Sequence, residues 1–269
     1  LLWHEGRWLR PHGTTPTTHI LKPSIRMLPN GIDLSDSVEN EFYCLKLASA
    51  FGLPAAQADI RFFGETKALV IDRFDRHWAK DGRLLRLPQE DCCQALSIPP
   101  TRKYQNEGGP ELVDVLKLLN GSDKPAQDRA VVFKAQIFFW LIGATDGHAK
   151  NFSIFLNPGG SYSLTPIYDV LTAEPSLAAR QIEKKQMRLA MSVGSNRHYK
   201  FDEISKRHFL QTGKAAGLPE MIIDNAIAEL INAFDNAFVM VEKALSENFP
   251  VEIHQTVMNA ARKRMLRLA

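Results

Sequence analysis

Cysteine is scarce in this chain of 269 residues: Cys44, Cys92 and Cys93 are the only three. An odd number with two adjacent members fits neither a disulfide framework nor a zinc-ligand spacing. A reducing, cytoplasmic setting is the resulting expectation. Long apolar runs are also missing. Nothing approaches the roughly 18 consecutive apolar residues of a membrane span, and the first residues lack a charged-then-apolar leader pattern, so no membrane partner is expected. Neither GxxxxGK[ST] nor GxGxxG after a strand occurs, which argues against P-loop and Rossmann nucleotide sites. No HExxH or other histidine cluster supports zinc. A strong charge of either sign is lacking too, since 33 basic against 30 acidic residues leave +3. That excess is compatible with phosphate-bearing ligands and too small to diagnose nucleic-acid binding. There is no internal repeat, coiled-coil heptad series or low-complexity tract.

What is present is an ordinary globular composition, 45% hydrophobic and 23% charged, sufficient for one large domain or two lobes. LLWHEGRWLR and THILKP read as strands of an antiparallel hairpin across the turn-rich PHGTTPTT, because aromatic and branched residues sit between Pro, Gly and Thr clusters. From Ser35 the pattern becomes helical. Ser35 or Asp36 caps a helix with apolar Val38, Phe42 and Leu45, and Gly52-Leu53-Pro54 stops it. ADIRFF and KALVIDRF, joined by Gly64-Glu65-Thr66, predict a second hairpin. Strand-rich character ends near Arg86-Leu87-Pro88. A loop containing SIPPTRKYQNEGGP follows, with Gly108-Gly109 as a mobile turn, then a helix from about Glu111 and a longer one from about Asp128 to Gly143. NFSIF and YSLTP flank Asn157-Pro158-Gly159-Gly160 and predict a short hairpin. Beyond Ser192-Val193-Gly194, helices are expected near 203–216, 220–247 and 250–268. The fold class is therefore α+β, with a strand-rich part over 1–90 that holds one helix and a helical part over 91–269.

The segment GATDGHAKNF places Asn151 five positions after Asp146, directly behind a long apolar helical run. Kinase-like phosphotransferases place a base and a magnesium ligand in this way. Phosphoryl transfer requires a lysine against the phosphates, oxygen ligands for Mg2+ and a carboxylate at the accepting hydroxyl, since most of the catalysis is positioning and charge stabilisation. Asp146 is the candidate base, Asn151 a metal ligand through its amide oxygen, and Asp169 a second ligand returned to the first by the hairpin. Lys22 ends the apolar strand THILK, and Glu41 lies inside the first predicted helix, matching the strand-lysine and helix-glutamate pair of protein kinases.

Each residue alone has a plainer explanation. Asp146-Gly147 is also a turn dipeptide, Asp169 could cap a helix starting at Val170, and a strand-end lysine is usually solvated. A single histidine such as His148 is more often structural than a ligand, and Met187 and Met191 read as core packing. The ordered set carries more weight than its members.

Lys22, DRFDR, LLRLPQED, GATDGHAKNF and LTPIYDV together resemble the HipA family, the serine/threonine kinase toxins of bacterial toxin–antitoxin pairs. The likeness runs in register to about residue 216 and more loosely beyond. It implies a two-lobed protein-kinase-like fold, with a small strand-rich N-lobe and a larger all-helical C-lobe, and ATP and Mg2+ between them. Asp146 would be the catalytic base, with Asn151 and Asp169 at the metal and phosphates and Lys22 as the ATP-binding lysine. Asp72, Arg73 and Phe74 align with the adenine hinge, where better-known members begin with glutamate. Gln89, His148, Lys150 and Tyr168 fall on further ATP-site positions. The implied substrate is a protein serine, the family's known target being glutamyl-tRNA synthetase, whose loss of function halts growth and leads to persistence. The implied partners are a HipB-like antitoxin and, mainly through that complex, operator DNA. Lys214 falls near the family's DNA-contacting patch, while Gly217 stands where a basic residue is found.

HipA-like kinases also carry an N-terminal subdomain and a glycine-containing phosphate loop with an autophosphorylated serine. LLWHEGRWLR resembles the strand just after that loop, and the chain begins at Leu1 rather than methionine, so a fragment is expected. Without the loop's backbone donors such a piece should bind ATP weakly and phosphorylate poorly. Two other readings remain at this point. Aminoglycoside and choline phosphotransferases share the Asp and Asn spacing but not LLRLPQED or DRFDR. A non-catalytic repressor module would show no Mg2+-dependent stabilisation by nucleotide.

Overall fold

The structure, a computed structural model, describes residues 1–268. The opening segment is not one strand but a hairpin of its own, β1 (Leu2–His4) and β2 (Arg7–Leu9), with Trp3 opposite Trp8. Its turn is made by Glu5 and Gly6, both at positive φ (47° and 77°). The expected pairing with THILKP is therefore corrected. Strand β3 (His19–Pro23) instead joins a different sheet, and the hairpin is tied on by Thr18 and His19 amides donating to the Leu1 carbonyl. A small ribbon follows, β4 (Arg26–Met27) with β5 (Asp33–Leu34).

Helix α1 (Ser37–Ala50) has Asp36 at its N-cap without a side-chain capping bond. Beyond it, β6 (Ala58–Phe63) and β7 (Thr66–Asp72) form the expected hairpin, and the sheet order is β3-β7-β6. The central position of β7 explains its unbroken apolar run: Ala68, Leu69, Val70 and Ile71 are all buried, where an edge strand would alternate. A further ribbon, β8 (Arg76–Trp78) with β9 (Leu84–Arg86), precedes β10 (Gln89–Asp91), which lies across the residue-90 division.

The remainder is mostly helical: α2 (Cys92–Ala95), α3 (Leu112–Leu118), α4 (Pro125–Ile142), α5 (Glu174–Ala178), α6 (Lys206–Ala215), α7 (Glu220–Ala244) and α8 (Val251–Met265). Two small sheets interrupt it. The expected hairpin, β11 (Ser153–Leu156) with β12 (Tyr162–Leu164), recruits β10 into a three-stranded sheet. The pair β13 (Arg188–Val193) and β14 (His198–Lys200) had no counterpart in the pattern, because β13 is buried on both faces and shows no alternation. Met187 and Met191 are buried as expected. No helix starts at Val170; α5 begins at Glu174. Gly109 is closely packed rather than open, since a Cβ there would lie 2.3 Å from the Arg102 carbonyl oxygen.

One apolar core runs from Val38 in α1 through α4 to Leu268. Phe51, at the end of α1, joins the strand-rich and helical parts, with ring centroids 5.5 Å from Phe138, 6.3 Å from Phe234 and 6.0 Å from Phe238. Phe51→Ala should therefore lower the unfolding free energy by about 3–5 kcal/mol, as a shift of the urea midpoint at constant m.

Candidate active site

The candidate base lies beyond the end of α4, which is fixed from several sides. Gly143 is left-handed at φ 77°, and a Cβ there would meet the Glu174 carboxylate at 2.4 Å, so both conformation and space call for glycine. Arg264 of α8 donates to the Leu141 carbonyl at 3.0 Å and to Glu174 at 2.5 Å, locking α5 and α8 onto that end. Gly147 packs on the Phe139 ring, where a Cβ would come within 2.5 Å of a ring carbon. Asp146 is thus presented from a loop with little freedom to shift, its side chain 52% exposed.

Asn151 ties two loops together. Its Nδ2 donates to the Asp146 carbonyl at 3.0 Å and the Asp169 carbonyl at 3.3 Å, which leaves the amide oxygen available as a ligand. Asp169 holds a left-handed backbone (φ 57°). Lys22 of β3 donates to both Glu41 oxygens at 2.8 and 3.0 Å and to Asp169 Oδ1 at 2.5 Å. Burial works against the Lys22 charge, yet Glu41 and Asp169 hold its pKa above the ordinary lysine value. Burial lifts the Glu41 pKa and outweighs the opposing pull of Lys22.

The other sequence candidates converge on the same place. All of Lys22, Asp72, Arg73, Phe74, Gln89, Asp146, His148, Lys150, Asn151, Tyr168 and Asp169 line one cavity of about 560 Å³, a size suited to a small ligand. Their local roles differ. Asp72 pairs with His19 at 2.7 Å. The Arg73 guanidinium is occupied by Asp75 and Thr17, whereas Phe74 forms a wall against the rings of Phe155 and Tyr168. Lys150 donates to Asp91 at 2.6 Å, and Tyr168 bonds Ser153 and the Lys150 carbonyl. Burial raises the Tyr168 phenol pKa, so it remains a donor at physiological pH.

Sequence reasoning passed over two side chains here. Asp91 holds Lys150 and also caps α2 through a reciprocal bond with Gln94; the D-x-x-Q spacing was the available signal. Tyr104 donates to Asp146 Oδ1 at 2.5 Å, and nothing in its local sequence marks it.

The chemistry of the donors fits Mg2+ with ATP. Gln89 and His148 line the cavity, and Gln89 Oε1 and both ring nitrogens of His148 are buried without a hydrogen-bond partner, which leaves polar capacity at the site unspent. Among the described residues no cluster of three or more His, Cys, Asp and Glu could hold a metal by itself. Mg2+ does not need one, because it is commonly held by one or two protein oxygens together with substrate phosphates.

The HipA-like C-terminal domain model matches residues 2–238. The chain belongs to the HipA-like C-terminal domain family. Within it, the Y4mE protein of Sinorhizobium fredii is 32% identical over 98% of this chain and 60% of its own length. The serine/threonine-protein kinase toxin HipA of Shewanella oneidensis is 31% identical over 71% of this chain and 44% of its own length. This HipA-like chain therefore spans less than two thirds of either relative. Among solved structures, the Shewanella oneidensis complex of HipA, HipB and operator DNA aligns with a TM-score of 0.78 at 23% identity, over 96% of this chain and 61% of that one. The Helicobacter pylori proinflammatory kinase CtkA aligns with a TM-score of 0.60 at 10% identity, over 87% and 81%. Both likenesses establish a two-lobed, kinase-like fold. Among the described residues no helix is long and apolar enough to cross a membrane.

Burial lowers the pKa of His148 against the pull of Asp146, and it likewise lowers those of His19, His208 and His254. A histidine depressed in the folded chain binds protons more readily when unfolded. Its contribution is full above the unfolded value, about 6.5, and shrinks as pH falls below it. Melting temperature should accordingly decline from about pH 7.5 to about pH 5.5, and His148→Gln should flatten part of that slope.

Proposed function

We propose that this chain is the phosphoryl-transfer core of a HipA-like serine/threonine kinase toxin, moving the γ-phosphate of ATP to a protein serine. The observation that carries the proposal is Lys22 bonded at once to Glu41 and Asp169, in the same cavity as Asp146. The bridge sets a cation where phosphate charge must be neutralised, between a buried glutamate that orients it and a carboxylate suited to metal. Asn151 Oδ1 and Asp169 would hold Mg2+, which supplies charge neutralisation on the phosphates when bound. Asp146 accepts the proton of the serine hydroxyl. Phe74 and Tyr168 offer apolar faces for adenine, with Asp72 and Arg73 at the hinge; Gln89, His148 and Lys150 supply polar contacts around the nucleotide.

Residues 1–90 then act as the nucleotide-covering lobe and 91–269 as the lobe that carries the catalytic loop. The partner is a HipB-like antitoxin, with operator DNA reached mainly through the complex. The likeness to the Shewanella complex of HipA, HipB and operator DNA supports this reading. Glutamyl-tRNA synthetase is the proposed protein target, in the cytoplasm, with growth arrest and persistence as the outcome.

In the full-length protein that contains this chain, Asp146→Ala should reduce phosphate transfer from ATP by at least about 10²-fold. The thermal shift with ATP and Mg2+ should survive, because Asp146 is assigned to the acceptor rather than the metal. Transfer at the parental rate in Asp146→Ala would refute the assignment.

A further inference from the structure

The loop at 99–109 reaches the candidate site through two side chains, Lys103 lining the cavity and Tyr104 bonded to the candidate base. The Tyr104 hydroxyl donates to Asp146 Oδ1 at 2.5 Å, and its ring meets the buried His148 imidazole edge-on, with centroids 5.1 Å apart. Among the described residues no other side chain hydrogen-bonds the Asp146 carboxylate. Asn151 holds Asp146 only by its backbone carbonyl, and His148 Nε2 stands 3.7 Å away, beyond hydrogen-bond range.

The loop is anchored directly after Tyr104. Gln105 is buried, and its side-chain oxygen accepts from the Ser192 amide at 2.7 Å, which ties the loop to β13. The Tyr104 carbonyl accepts from the amides of Glu107 (3.0 Å) and Gly109 (2.9 Å). Only glycine permits that closure, because a Cβ on Gly109 would lie 2.7 Å from the Tyr104 carbonyl oxygen. Burial first, and Asp146 second, raise the Tyr104 phenol pKa, so it stays a donor and never becomes a second anion beside the base.

We propose that Tyr104 is a positioning residue for phosphoryl transfer, holding Asp146 through Oδ1 so that Oδ2 faces the acceptor hydroxyl. The inference rests on the kinase reading above. In the step it serves, the acceptor oxygen bonds to the γ-phosphorus and the bond from that phosphorus to the β,γ-bridging oxygen breaks. ADP leaves with the electron pair, and the acceptor proton passes to Oδ2. A carboxylate on a half-exposed side chain would otherwise sample several rotamers, and small misplacements of a reacting group are costly in rate. A plug that had to leave at every turnover would call for a loop with fewer ties than Gln105 and Gly109 provide.

The test uses the full-length protein with purified glutamyl-tRNA synthetase and dephosphorylated casein as acceptors, comparing parent, Asp146→Ala and Tyr104→Phe. Tyr104→Phe should lower kcat by about tenfold to a hundredfold. KM for ATP and the thermal shift with ATP and Mg2+ should stay at parental values, a split that general destabilisation would not produce. If Asp146→Ala is inactive while Tyr104→Phe keeps or exceeds the parental kcat, this inference is overturned and the kinase reading stands. A Tyr104→Phe protein that unfolds or loses the nucleotide shift would overturn it in favour of a purely structural role. A parent that phosphorylates neither acceptor nor itself would overturn both.

Discussion

The three-way contact of Lys22 with Glu41 and Asp169 is the interaction on which the arrangement depends. Its members come from a strand, a helix and a loop, with Lys22 and Asp169 separated by 147 positions in the chain. Glu41 is 4% exposed at its side chain, so without Lys22 it would be an uncompensated buried charge, which is far costlier than an exposed one. Lys22 is 35% exposed and Asp169 44%, so that end of the bridge faces the cavity and remains open to exchange with a ligand. The buried half fixes the lysine to the fold, and the open half leaves its second partner at the cavity surface.

Asn151 does for the loop that bears Asp146 what Lys22 does for the cleft. By spending its amide protons on the carbonyls of Asp146 and Asp169, it fixes these two residues relative to each other through backbone rather than through mobile side chains. Asp91 extends the same logic outward, restraining Lys150 with one oxygen and capping α2 with the other. Such dual-purpose side chains link the site to elements that the core already holds rigid.

Local spacing made Asp146 and Asn151 legible, since their relation lies within one loop and one short turn. Lys22 and Glu41 were legible as types at the right places, a strand end and a helix, although their bond is a tertiary fact. Tyr104 was not, because its relation to Asp146 spans 42 positions and no periodicity or motif encodes it. The same limit explains the misread start of the chain. LLWHEGRWLR has the composition of one strand, and only the positive φ of Glu5 and Gly6 divides it, leaving β3 to pair with β7 instead. Glu-Gly is a weaker turn signal than Asn-Gly or Asp-Gly, so composition favoured the longer strand.

Asp169 shows how far tertiary contacts override local preference. Its left-handed backbone at φ 57° disfavours an ordinary residue by about 1–3 kcal/mol, and its neighbours are Tyr168 and the β-branched Val170 rather than glycine. Aspartate tolerates this region better than most residues, and here two contacts impose it: Asn151 holds the carbonyl, and Lys22 holds the carboxylate. Relaxing the backbone would rotate the carbonyl away from Asn151 and swing the carboxylate off Lys22, breaking the link between β3 and the loop that bears Asp146 in one movement. The strain is therefore maintained by two residues that themselves line the cavity, and the geometry of that wall is already held by the folded chain.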